Sequence, residues 1–168
     1  MHQRPKVGVS QCLLGDAVRY DGQSKANQTV LNKFHQVFDL VPVCPEVEAG
    51  LGIPRPPVQL SANVDTPKLT GRDDASIDVT DIMQKYCQHK PAELQHLHGF
   101  IFKSRSPSCG LDSTPVFIND LCVTENSRGV FARAITSAYP QLPAIEENAF
   151  DELAINTFID AVFIHFQP

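Results

Sequence analysis

Gly99-Phe100-Ile101-Phe102-Lys103-Ser104-Arg105-Ser106-Pro107-Ser108-Cys109-Gly110 passes from an apolar run into a polar turn that ends on a cysteine. Two other stretches repeat that change of character: Val7-Gly8-Val9-Ser10-Gln11-Cys12 and Leu40-Val41-Pro42-Val43-Cys44-Pro45-Glu46. Short apolar runs bounded by turn residues read as buried strands. If these three are neighbouring parallel strands, Cys12, Cys44 and Cys109 emerge at one end of one sheet. The carboxyl end of an open α/β sheet is where such folds bind ligands.

Working outward, helical patterns separate the strands. Asn27 to Phe38 places Val30, Leu31, Phe34, Val37 and Phe38 near helical spacing. Asp78-Val79-Thr80-Asp81 opens a helix running to about Lys90, and Pro91 starts a further short helix. Asn126 or Ser127 caps a helix through Tyr139, and Asp151 to Phe166 forms the last one. Pro143 to Glu146 reads as a short strand, and Phe117-Ile118 with Leu121-Cys122-Val123 as a small hairpin. Alternating strands and helices predict an α/β, Rossmann-like three-layer fold with a mostly parallel sheet. The non-periodic segment from Glu48 to about Ala75 reads as a long loop. Its cluster Ile53-Pro54-Arg55-Pro56-Pro57 is either a rigid connector or a pocket wall with Arg55 at its tip.

A chain of 168 residues with 42% hydrophobic residues is expected to form one domain, spanning residues 1–168, with a real core. A formal charge of −5 argues against coating a nucleic-acid polymer, and no apolar stretch is long enough for a membrane span. Met1-His2-Gln3-Arg4-Pro5 lacks the apolar core of an export signal, so the cytoplasm is the expected compartment. Five cysteines without an export signal are not a disulfide framework. Cys87 and Cys122 read as inert packing residues.

The other three cysteines invite chemistry. Structural zinc sites draw paired ligands from one tight turn, and no Cys-x-x-Cys pair is present. An iron–sulfur cluster is larger than an ion and takes cysteines from separate places. Three ligands on a four-iron cluster leave one iron open. A cysteine nucleophile also stays open, although no local signature supports it. Glu46 is a candidate proton-transfer group beside Cys44, whereas Glu48 reads as solvated. Ser104, Arg105, Ser106 and Ser108 crowd the approach to Cys109 as an oxygen- or anion-binding nest, with Arg19 and Arg105 as anion holders.

Cys12-Leu13-Leu14-Gly15, Arg19-Tyr20-Asp21-Gly22, Cys44-Pro45-Glu46, Pro54-Arg55-Pro56-Pro57 and Lys103 to Gly110, five motifs in order, resemble the thiouracil desulfurase family. The resemblance implies an oxygen-sensitive [4Fe-4S] cluster held by Cys12, Cys44 and Cys109, with one iron open. It implies non-redox removal of sulfur from a small thiopyrimidine, a thiouracil or thiouridine monophosphate, with substrate sulfur on the open iron. It assigns proton transfer to Glu46 and hydrogen bonding to Ser106; the residues themselves add Arg19, Arg55, Ser104, Arg105 and Ser108 as substrate-binding candidates. Many relatives carry a further cysteine where this chain has Val18, so that thiol is not an obligatory ligand. The alternatives are a non-catalytic iron–sulfur or metal-binding module and a cluster-free cysteine-dependent hydrolase. The sequence leaves the oligomeric state open.

Overall fold

The computed structural model describes residues 3–167. The N-terminal pentapeptide reading rests partly on Met1 and His2, which lie outside the described residues. Strands β1 (Lys6–Ser10), β2 (Asp39–Val43), β5 (Gly99–Phe102) and β8 (Ala144–Glu146) form one four-stranded sheet in the order β2-β1-β5-β8. Every pairing in it is parallel. The three cysteine-bearing runs are therefore adjacent, and all three point the same way.

Alternation along these strands sorts side chains onto two faces. Val7, Val9, Ile101 and Ile145 pack with Phe34, Phe38, Ile155, Phe158 and Val162 on one face. This face is covered by the helical segment Val30–Phe34, which continues into α1 (His35–Val37), and by α5 (Glu152–Phe166). Phe100 and Phe102, on the opposite face, pack with Leu94 and Leu97 from the turn that ends α3 (Thr80–Glu93), with Tyr86 of α3 beside them, and with Phe131 and Ile135 of α4 (Val130–Ala138). Gly8 is obligatory between them, because a Cβ there would sit 2.4 Å from the Phe100 ring. Helices on both faces of a parallel sheet make the expected three-layer, Rossmann-like arrangement.

Four local expectations are corrected. The segment from Glu48 to Ala75 is not one long loop. It contains β3 (Val58–Ser61) and β4 (Lys68–Gly71), which join β6 (Thr114–Ile118) and β7 (Leu121–Ser127) in a second sheet ordered β4-β3-β6-β7. Each of β3 and β4 is only four residues long, too short to display a period. Their stability comes from Leu60, Leu69, Val116 and Met83 packing together. Secondly, Pro91 starts no new helix but lies inside α3. Near a helix end the missing N–H removes a single bond, and the Pro91 carbonyl is satisfied by the Tyr139 hydroxyl at 2.6 Å.

The third correction concerns α4. Asn126 and Ser127 finish β7, and the helix is capped at Gly129 instead. Lastly, the first helix carries a π-helical turn over Val30–Phe34, which no apolar periodicity announces.

Candidate metal centre and its cavity

The three strand ends diverge into turns that return their cysteines to a common place. After β1, a short 3-10 turn, Gln11–Leu14, carries Cys12. After β2, Cys44 is the N-cap of α2 (Pro45–Glu48), with Pro45 at the first helical position, where its missing N–H costs nothing. After β5, the turn from Lys103 to Gly110 delivers Cys109. Its carbonyls at Pro107 and Ser108 accept the N–H groups of Val130, Phe131 and Ala132, the first turn of α4. Gly129 allows this approach, because a Cβ there would lie 2.5 Å from the Ser108 carbonyl carbon.

All three cysteines line one cavity of about 530 Å³. Its walls come from both sheets, with Ser10, Val18, Arg19, Tyr20, Glu46 and Arg55 on one side and Gln59, Arg72 and Phe117 on the other. Val18 occupies the place of the extra cysteine noted above. It is buried, and its carbonyl accepts from Arg55 Nη1 at 2.9 Å.

Burial dominates the thiols. It pushes Cys12 up to about 11, against the opposing pull of Lys103 and Arg19. Burial raises Cys44 as well, and raises Cys109 well above the ordinary value, with the Ser10 hydroxyl opposing the rise. Cys12 and Cys44 each add to the rise at Cys109. Among the described residues no three His, Cys, Asp or Glu side chains are arranged to hold a single metal ion. Three thiols that share a cavity without closing on one point fit a larger thiophilic group, and an iron–sulfur cluster has that size and ligand preference. Coordination deprotonates such thiols and offsets the cost of their burial.

Glu46 stands at the cavity rim with both oxygens engaged. Oε1 accepts from Arg55 Nε at 3.0 Å and Oε2 from Ser108 Oγ at 2.9 Å. Arg55 is not an exposed tip of the proline segment. Its side chain is 6% exposed, and it also donates to the carbonyls of Val18 and Gly52. Ser108 is likewise buried and directed at Glu46 rather than at open space.

Ser106 Oγ accepts the N–H groups of Ser108 at 3.2 Å and Cys109 at 3.0 Å. Its own proton is then free to point elsewhere. Ser104 is buried and bonded to Glu147, whereas Arg105 is exposed at the rim with a left-handed φ of 62°. Its N–H donates to Ser113 Oγ, which donates in turn to the buried carboxylate of Glu146.

Glu48 is not a solvated loop residue. Lys90 lies 2.7 Å from Oε1, and Oε2 accepts the Cys44 N–H at 2.8 Å, so it fixes the second cysteine's backbone. Cys87 is half-buried, with its thiol raised to about 11 by burial, and lies outside the cavity. Cys122 does not pack in the core as expected. It is exposed on β7.

Several cavity residues escaped the sequence reading: Ser10, Tyr20, Lys25, Gln59, Arg72 and Lys103. Arg19 and Arg72 lie 5.6 and 5.5 Å from the centre of the Tyr20 ring, so one aromatic residue gathers two cations from distant parts of the chain. The sole local signal was the basic character of Arg19-Tyr20. Arg72 enters through β4, whose existence no pattern revealed.

Parallel strands delivering three cysteines to one cavity define a class of α/β protein with a thiol-lined pocket at the carboxyl end of its sheet. The 2-thiouracil desulfurase family profile matches residues 7–147, and the chain belongs to that family. A solved structure described as a [4Fe-4S]-dependent thiouracil desulfidase, TudS, is 27% identical to it. That match covers 92% of this chain and 98% of the other, with a TM-score of 0.65. No curated protein matches the sequence. Among the described residues no helix is long and apolar enough to cross a membrane.

Proposed function

We propose that Cys12, Cys44 and Cys109 hold a [4Fe-4S] cluster with one open iron, and that the chain uses it to remove sulfur from a thiolated pyrimidine nucleotide. The overall change is C=S plus water giving C=O plus hydrogen sulfide, with no net electron transfer. The observation that carries this reading is the convergence of the three thiols on one cavity, with a clamped carboxylate at its rim. When bound, the cluster would supply a thiophilic Lewis acid that polarises the thiocarbonyl.

The chain's own residues do the rest. Glu46 takes a proton from the attacking water and returns it to the departing sulfur or ring nitrogen. Arg55 and Ser108 each occupy one lone pair of its carboxylate, which fixes its orientation and leaves the other lone pairs for water. Ser106, with its oxygen already accepting two N–H groups, directs its proton to the substrate. The buried Leu60, Val43 and Pro45 on the cavity wall limit competing water.

The cavity's charge supports a phosphorylated substrate. Glu46 is its acidic lining residue, against Arg19, Lys25, Arg55, Arg72, Lys103 and Arg105. Arg55 is neutralised by Glu46 and Lys103 by Glu147. Among the described residues Arg19, Lys25 and Arg105 form no ion pair, which fits a phosphate better than a neutral base. The test is anaerobic sulfide release from thiouracil, thiouridine and thiouridine monophosphate. The nucleotide should have the highest kcat/KM, and Arg105→Ala should raise its KM several-fold while leaving the free base unaffected. Equal kcat/KM for base and nucleotide would remove the phosphate from the account.

A further inference from the structure

Glu147 directly follows β8 and turns under the loop that carries Cys109. Its Oε1 accepts from Lys103 Nζ at 2.8 Å and from Ser104 Oγ at 2.5 Å, and its Oε2 accepts the Ser104 N–H at 2.6 Å. Lys103 Nζ also donates to the Ser104 carbonyl at 2.8 Å. The ion pair is largely withdrawn from solvent, with side chains 20% and 14% exposed, so its charges are weakly screened.

Lys103 reaches the metal centre by two routes. Its side chain lines the cavity that Cys12 also lines, so its positive charge faces the same space as that thiol. Its N–H donates to Ser10 Oγ at 2.9 Å, and Ser10 lines the same cavity as Cys109. Its ammonium protons are already taken by Glu147 and Ser104, so it acts on its surroundings through charge rather than by donating to a ligand.

We propose that Lys103 and Glu147 form a positioning, charge-balancing pair for the metal centre, in which Glu147 holds the ammonium at the wall of the cavity that Cys12 lines and cancels part of its field. This rests on the cluster reading above. The electron affinity of an iron–sulfur centre follows the net charge around it and the hydrogen bonds to its sulfurs. Lysine alone would favour the more reduced, more negative state, and the glutamate alone would oppose it. Balanced together, they leave the potential close to that of a centre with neither charge beside it.

The test is the midpoint potential of the reconstituted cluster, followed by electron paramagnetic resonance, in the wild type, Lys103→Met, Glu147→Gln and the double variant. Lys103→Met should lower the midpoint, Glu147→Gln should raise it, and the double variant should return close to the wild type. Lys103→Arg, which keeps the charge, should stay near the wild type even if a neutral variant folds poorly. Shifts of the same sign in both single variants, or a Lys103→Arg shift as large as that of Lys103→Met, would overturn the inference. A wild type that takes up no cluster would instead overturn the reading on which it rests.

Discussion

Arg55 Nε lies 3.0 Å from Glu46 Oε1, and the two side chains are 6% and 14% exposed. A residue from the proline-rich segment thus aims the carboxylate that the Cys44-Pro45-Glu46 turn brings to the cavity. Removing one member of a buried pair leaves the other charge uncompensated, which costs far more than the pair itself contributes. Arg55→Met should therefore destabilise the protein by about 3 kcal/mol. The Glu46→Gln/Arg55→Met double variant should recover part of that loss in urea unfolding. A KM effect with unchanged stability would mean that Arg55 binds substrate instead.

Glu46→Gln keeps the shape and the Arg55 contact but cannot take a proton. Its kcat should fall by about 10²–10⁴-fold, the range that general acid–base groups supply. Iron content should match the wild type, which separates proton transfer from cluster assembly.

Gly129→Ala tests the support beneath Cys109. The new methyl group would meet the Ser108 carbonyl carbon and oxygen, both at 2.5 Å, and the Cys109 nitrogen at 2.8 Å. Backbone atoms cannot rotate away, so a cost of about 1–3 kcal/mol is expected. Iron loading should fall along with the melting temperature, because the loop that must move is the one carrying the ligand.

Thiol reactivity separates the five cysteines in the apoprotein. Only the thiolate is nucleophilic, and burial holds Cys12 and Cys87 near 11 and Cys109 well above its ordinary value. Iodoacetamide at pH 8 should therefore modify exposed Cys122 first, with the buried thiols following on unfolding. Peptide mass spectrometry gives the order directly.

Glu147 gives a pH dependence of definite sign. Burial pushes its carboxyl up, but hydrogen bonds from Lys103 and Ser104 outweigh that and leave it below its ordinary 4.5. A carboxylate lowered on folding adds stability that is complete above the unfolded value and is lost as pH falls through the folded one. Wild type should thus lose stability below about pH 4.5 more steeply than Glu147→Gln. Parallel acid unfolding curves would contradict this.

The parallel sheet and its three cysteines were legible because each strand was an apolar run stopped by Ser, Pro or Gly, and these signals are local. The second sheet was not legible. Val58–Ser61 and Lys68–Gly71 are stabilised by each other and by β6, dozens of residues away, so a proline-rich neighbourhood hid them. Arg55 was misplaced for a different reason: its partner Glu46 is only nine residues back, but the two lie on different elements. Glu147 and Lys103 are 44 residues apart, and only the adjacency of β5 and β8 brings them together. Motif order identified the ligand candidates, while long-range pairing decided which neighbours hold them.

Counting iron and acid-labile sulfide on anaerobically purified protein, alongside sulfide release from a thiopyrimidine, tests the central claim most directly. The wild type should carry about four irons per chain. Cys12→Ser, Cys44→Ser and Cys109→Ser should lose both iron and activity, and Cys122→Ser should keep both. Full activity in iron-free protein, or full iron content and turnover in Cys109→Ser, would contradict the account.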